Sequence, residues 1–197
     1  VVGCPSRGDD AALMLRTLAA LARVDGRVSV FLEPIALYMT KDLFDAGDNQ
    51  WLFPYPAPDQ AMVLGEGRVY EQQADDLVIF TYGNGVPMSL RAARSIEARH
   101  GWKVRVVDLR WLVPLNEAFI AEQARSAKRI LVVDEGRHSA GVGEGIITAI
   151  VESGSGSKPL QRVVGADTYT PLAGAALAVL PADADIVAAA ANLERAR

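Results

Sequence analysis

The sequence predicts an α/β protein built on an open, mostly parallel sheet with helices on both faces. The first observation is alternation. Short strands expected near 67–72, 77–82, 103–108, 129–133 and 161–165 are separated by helical segments near 86–100, 116–127, 141–152 and 183–196, the order that gives parallel strands joined by crossover helices. The second is that 77–82, 103–108 and 129–133 are Val- and Ile-rich runs bounded by turns, as expected of strands covered on both faces. The third is size: 197 residues, half of them apolar and 22% charged, suffice for a proper core.

Taken in order, Val1 to Cys4 reads as a short strand. Ala11, Met14, Leu15, Leu18, Leu21 and Ala22 recur at helical spacing, with Asp9 and Asp10 favouring the helix dipole. Val28–Leu32 is a second β-rich run. One strand–helix–strand unit is too small for an independent domain, so residues 1–50 read as the remnant of a second α/β domain. The absence of an initial Met and the start in mid-strand fit the C-terminal part of something longer. Trp51–Pro58, "WLFPYPAP", places three prolines and three aromatics in eight residues. It predicts an extended linker (51–62) held down by its rings, in preference to an exposed SH3-type ligand. The main domain then runs 63–197.

Near the end, "SGSGSK" (153–158) reads as a flexible turn. The last helix is expected to be capped by Asp183, to carry Ile186, Ala190 and Leu193 on one face, and to be complemented by Arg195 and Arg197. Helix 141–152 carries more apolar surface than a one-sided helix needs, which predicts a second subunit against it, most simply in a homodimer.

Charge and cysteine content narrow the function. Lys plus Arg (20) against Asp plus Glu (24) gives −4, with no basic excess to draw nucleic acid or an anionic membrane. The longest apolar run, between Pro171 and Pro181, is far below the ~18 residues of a membrane helix. A single cysteine, Cys4, excludes an internal disulfide and fits a reducing, cytoplasmic setting. Val1-Val2-Gly3-Cys4 imitates a lipoprotein cleavage site but lacks the basic start and long apolar segment.

Two glycine turns invite a ligand. "TYGNGV" follows an apolar strand and opens a helix, with Asp108 at about the spacing of a ribose contact. Met88, however, stands where a dinucleotide fingerprint needs its third glycine, so a plain strand-to-helix turn is preferred. "DEGRHSAGVGEG" (134–145) sets glycines at 141, 143 and 145 of a second helix start. They suit either an anion or close helix packing, and packing is the simpler reading. His138, in that loop, is a candidate acid–base or substrate-contact group, against the alternative of a solvated side chain. Two histidines and one cysteine, without H-x-x-x-H or C-x-x-C, exclude a familiar zinc site, and no G-x-S-x-G elbow is present. No residue emerges as catalytic.

"FLEPIALY" (31–38), the "YP" after Trp51, "TYGNGV" (81–86), "VVDLRWLVPLNE" (106–117), "VVDEG" (132–136) and "GVGEG" (141–145) occur in one order. That order resembles the β subunit of thiamine-diphosphate-dependent 2-oxo acid dehydrogenases, the decarboxylating first component of the pyruvate and branched-chain complexes. The resemblance implies the end of a pyrimidine-binding domain over 1–50. It further implies a transketolase-like C-terminal domain over 63–197, whose sheet has one antiparallel edge strand, either 66–72 or 161–165. Thiamine diphosphate with Mg is the implied cofactor of the full enzyme, contacted by residues before Val1 and on another domain or subunit, with none bound by these residues. The implied partners are a second β chain or an α/β heterotetramer and the lipoyl acyltransferase core. The implied roles are a substrate channel for Glu33 and Tyr38, and an acidic docking surface for Asp167, Asp183 and Asp185. Transketolase and deoxyxylulose-phosphate synthase carry similar segments. A fragment of either, or a non-catalytic nucleotide-binding or interaction domain, is the alternative.

Overall fold

The computed structural model describes residues 1–195. Its main sheet has five strands in the order β3-β5-β4-β7-β8, formed by β3 (Arg68–Tyr70), β4 (Leu77–Thr81), β5 (Val104–Asp108), β7 (Ile130–Arg137) and β8 (Leu160–Gly165). β4, β5, β7 and β8 pair in parallel, and β3 runs antiparallel along β5. The antiparallel edge is therefore 68–70, and 103–108 lies inside the sheet.

Alternate side chains of each central strand feed opposite layers. Leu77, Ile79, Val104, Val106, Leu131 and Val133 face α2 (Gly85–His100) and α5 (Asp183–Arg195). Val78, Phe80, Val107, Ile130 and Val132 face α3 (Glu117–Arg125) and α4 (Val142–Ile150). Nearly all are fully buried, which is why the sequence runs are continuously apolar rather than alternating. The exception is Arg105, which points toward α3 and spends its guanidinium on the Gln123 side chain (3.1 Å) and Ser126 (2.9 Å).

A second, three-stranded sheet has the order β2-β1-β6, from β1 (Val2–Gly3), β2 (Val30–Phe31) and β6 (Trp111–Val113). β1 is parallel to β2 and antiparallel to β6. The helix α1 (Gly8–Val24) covers this sheet, placing Met14 and Leu18 against Trp111 and Met62. β6 was not expected from the sequence. The run expected at 28–32 keeps only two paired residues, because beyond β1 it has no further partner among the described residues.

Residues 51–60 are fastened by aromatic rings and by arginines. Trp51 and Phe53 meet edge to face at 5.3 Å, and the Arg7 guanidinium lies 3.7 Å over Phe53. The carbonyls of Pro56, Ala57 and Gln60 accept from Arg16 of α1. Proline leaves carbonyls without neighbouring N–H donors, and one arginine fork collects them.

Two helix ends differ from expectation. α4 stops at Ile150 and widens into a π turn through Ser155, with Gly154 at φ 82°. Its Ile146, Ala149 and Ile150 are buried within the chain, leaving Val151 as the exposed apolar side chain. Asp183 does not cap α5. Its carboxylate takes a two-pronged contact from Arg91 of α2 (2.6 and 3.1 Å), and Asp185 reaches back to the Ala182 N–H (2.8 Å). The charge complement assigned to the Arg195 and Arg197 side chains lies outside the described residues. Ala173–Glu194 reaches a membrane-like mean hydropathy of 1.5. It is broken at Pro181, however, and α5 buries Ile186, Ala190 and Leu193 in the core.

Candidate functional site

In an open parallel sheet, ligands collect beyond the carboxyl ends of the strands where the strand order reverses. Here that point lies between β4 and β7, and both glycine turns meet there. Tyr82–Gly85 leaves β4, and Asp134–Gly141 spans the end of β7 and the turn into α4.

The first turn is packed shut. Gly83 is left-handed (φ 52°), and a Cβ on it would come within 2.9 Å of Cys4 Sγ. A Cβ on Gly85 would sit 2.1 Å from Thr81 Oγ1. The start of α2, Gly85 through Ser89, is buried. The glycines let α2 drop onto its own strand and onto the first segment, leaving no room for a diphosphate.

The second turn is filled by the protein's own carboxylate. Asp134, 1% exposed, accepts from the Tyr82 hydroxyl (2.5 Å), the Gly136 N–H (2.7 Å) and the Gly143 N–H in the first turn of α4 (2.7 Å). A Cβ at Gly141 would reach to 2.8 Å of Asp134 Oδ2, and one at Gly143 to 3.1 Å. The alternating glycines therefore wrap one internal anion at a helix start. Burial first, and then the bond to Asp134, push the Tyr82 phenol well above its usual range. Next to Asp134, Glu135 accepts from Asn84 (2.7 Å), and burial raises its carboxyl.

His138 lies exposed on the loop between these groups. A shallow cavity of about 640 Å³ opens beside it, lined by Tyr82, Arg137, Ser139, Gly141, Val142 and Asp167. Asp167 is exposed and accepts from Ser139 Oγ (2.7 Å), which first of all holds its carboxyl below the usual range. Asp183 and Asp185 start α5, engaged with Arg91 and the Ala182 N–H as described. No hydrogen bond among the described residues joins Asp167 to either.

Glu33 and Tyr38 do come together. The short 3-10 helix Ile35–Leu37 separates them, and the Tyr38 hydroxyl donates to Glu33 Oε2, which raises the phenol's pKa. Tyr38 is 60% exposed, so it is no core residue. Both line a cleft of about 610 Å³ whose other wall includes Pro5, Ser6, Arg7 and Gly8.

Beneath that wall lies a buried polar seam that sequence reasoning missed. Asp10, fully buried, accepts from Arg110 (3.0 Å) and Arg68 (2.8 Å). Asp108, also fully buried, accepts from Ser6 Oγ (2.5 Å) and the Arg110 N–H (3.1 Å). Cys4 N–H donates to the Arg110 carbonyl (2.8 Å). Burial, helped by the charges of Asp108 and Glu135, pushes the Cys4 thiol up to about 12, so this cysteine is a packing residue. A signal was present: Asp10 stands four and eight residues before Met14 and Leu18, on the helix's apolar stripe. A charge there needs a buried partner.

The family resemblance implies thiamine diphosphate with Mg, and the residues of this chain do not fit the diphosphate or its ion. One glycine helix start is closed by packing and the other is taken by Asp134. Among the described residues, no group of three or more His, Cys, Asp or Glu is arranged to hold a metal.

Comparison with known proteins agrees with this architecture. Residues 65–187 match the family described as transketolase, C-terminal domain. The chain is 32% identical over 134 residues to the pyruvate dehydrogenase E1 component subunit beta of Staphylococcus aureus, covering 67% of this chain and 41% of that protein. It is 33% identical over 169 residues to the 3-methyl-2-oxobutanoate dehydrogenase subunit beta of Mycobacterium tuberculosis, covering 85% of this chain and 44% of that one. The chain thus spans less than half the length of the curated relatives it matches. In fold it is similar to a split gene transketolase, solved as an inactive beta4 tetramer, with a TM-score of 0.70 at 22% identity over 98% of this chain and 56% of the other. The matched family, the sheet order with its antiparallel edge and the β-subunit relatives agree: the chain belongs to the transketolase C-terminal domain family.

Proposed function

We propose that this chain is the C-terminal part of the β subunit of a thiamine-diphosphate-dependent 2-oxo acid dehydrogenase. The parent enzyme decarboxylates a 2-oxo acid and passes the acyl group to a lipoyl arm in the cytoplasm. In this reading residues 1–50 end the pyrimidine-binding domain, 51–62 link, and 63–197 form the C-terminal domain, whose work is subunit assembly and docking to the acyltransferase core. The observation that carries it is the filling of the switch-point crevice by Asp134, which leaves a rigid scaffold where related topologies bind a nucleotide. The β-subunit relatives supply the reaction class.

The chain's own residues contribute position rather than chemistry. Glu33 and Tyr38, tied to each other, are assigned to the substrate approach. The cofactor's diphosphate and metal are assigned to parts of the enzyme outside these residues. Asp167 is the most available of the acidic docking candidates, being exposed with Ser139 as its one side-chain hydrogen-bond partner among the described residues. Asp183 is already held by Arg91 and Asp185 by the Ala182 N–H at the helix start.

The test is binding of the subunit-binding domain of a lipoyl acyltransferase to the wild type, Asp167→Asn and Asp185→Asn, measured across ionic strength. Binding that weakens for Asp167→Asn at low salt is expected, because a surface contact of this kind is screened beyond roughly 10 Å at 0.1 M. Absence of binding by wild type overturns the docking role, and equal salt slopes remove the acidic residues from it.

A further inference from the structure

Arg110 sits in the turn between β5 and β6 with a left-handed backbone (φ 60°) and 5% of its surface exposed. For a residue with a Cβ that backbone is strained, and it persists only where the surroundings fix it from several sides. Here three contacts fix it, and all three lead, directly or through Asp108, to the stretch Cys4–Asp10. The Arg110 carbonyl accepts from the Cys4 N–H (2.8 Å). Its own N–H (3.1 Å) and the Ser6 hydroxyl (2.5 Å) both donate to the Asp108 side chain. Its guanidinium donates to Asp10 (3.0 Å).

That stretch carries one lip of the Glu33–Tyr38 cleft, Pro5 to Gly8. The other lip follows β2, where the Leu32 N–H bonds the Gly3 carbonyl (2.9 Å). Both rest on the turn after β4: a Cβ on Gly83 would lie 2.9 Å from Cys4 Sγ and 3.4 Å from Pro34 Cγ. The first lip is therefore placed from the main sheet, and Arg110 reaches all three of its anchor points. Other ties are single. Trp51 Nε1 bonds the Ser6 carbonyl (3.2 Å), and Arg68 of β3 bonds Asp10 (2.8 Å).

We propose that Arg110 is a positioning residue for this cleft, setting the distance between the Pro5–Gly8 lip and the Glu33–Tyr38 lip by tying the first to the end of β5. As a role in substrate approach this rests on the function proposed above, whereas the tie is a property of the chain itself.

Cys4, the single cysteine, reports the tie. It is 6% exposed, with its sulfur against Gly83, so a thiol reagent reaches it only when the lip lifts. In Arg110→Met the labelling rate in native buffer should rise roughly tenfold or more, the effect of losing a hydrogen bond to a charged group. The excess should depend little on urea, as local openings do. Arg68→Met takes from Asp10 a cation that is partly open to water, and should change the rate less than about threefold. In the parent enzyme Arg110→Met should raise KM for the 2-oxo acid more than it lowers kcat. Arg110→Lys, which keeps a cation for Asp10, should recover part of that loss. Wild-type labelling in Arg110→Met, or equally fast labelling in Arg68→Met, overturns the tie. Faster labelling with an unchanged KM overturns the positioning role. A wild-type parent that turns over no 2-oxo acid fails the proposed function instead, and the labelling still decides the tie. If Arg110→Met does not fold, Arg110→Lys takes its place: labelling faster than wild type is expected, and labelling equal to it overturns the tie.

Discussion

Removing the Asp134 carboxylate should cost the protein much of its stability without changing its fold. In Asp134→Ala three donors lose their acceptor: the Gly143 N–H, which is buried, and the Tyr82 hydroxyl and Gly136 N–H, which are partly reachable by water. A stranded buried donor costs about 1–3 kcal/mol, and a bond to a charged acceptor is worth about 1.5–3 kcal/mol. Allowing water to recover part of the two accessible bonds leaves a loss of about 3–5 kcal/mol. Urea unfolding followed by tryptophan fluorescence should show a lower midpoint with an unchanged slope. Asp134→Gly leaves an anion-sized gap aimed at by three donors. Formate should then raise stability by about 1.4 kcal/mol at ten times its dissociation constant, and should leave wild type unaffected. A loss below about 1 kcal/mol in the Ala variant, or no formate response in the Gly variant, would refute the view of Asp134 as a built-in anion.

Two further outcomes follow from named contacts. Gly85→Ala places a Cβ against the buried Thr81 side chain and should destabilise by about 1–3 kcal/mol, the range for overpacking; calorimetric melting within error of wild type would contradict the tight turn. Asp48 accepts from the N–H groups of Leu43, Phe44, Asp45 and Gln50, and these bonds, working against desolvation, hold its carboxyl far below the ordinary range. Its folded pKa is depressed, so the loop it organises is intact above the unfolded pKa and loosens only as pH falls through the folded value. Proteolysis of 41–50 that is already enhanced at pH about 5 would count against this.

The strands were legible because both-face burial writes an unbroken Val/Ile run; Leu77–Thr81 reads the same in sequence and structure, whereas β7 continues past the expected 129–133 to Arg137, where the run is no longer apolar. β6 was not. Trp111-Leu112-Val113 is three residues long, followed at once by Pro114, and its partners Val2 and Gly3 lie beyond the reach of any local pattern. At the candidate site, the glycines at 141 and 143 were visible but the occupant of their cradle was not, since nothing local tells Asp134 to fold back on them. The deviation of Asp183 has a similar origin. Its position suits a cap, yet Arg91, 92 residues earlier, offers a fork within reach. Glu33 and Tyr38 were nominated by resemblance, and their mutual bond depends on the 3-10 turn between them.

The borrowed strand β6 bears on how the chain is made. β1 cannot complete its sheet until Trp111–Val113 has been synthesised, and Ser6 meets Asp108 across 102 residues. Closing so long a loop costs entropy before any contact repays it. During synthesis, which delivers residues in chain order, α1 is made well before Trp111, so Met14 and Leu18 lack that cover until β6 follows. The main sheet, whose β4–β5 and β4–β7 pairs are far more local, can assemble ahead of it and serve as the template. Residues 1–31 thus precede the main sheet in the chain yet finish packing after it, and the interval before β6 arrives is when a chaperone would have Met14 and Leu18 to hold.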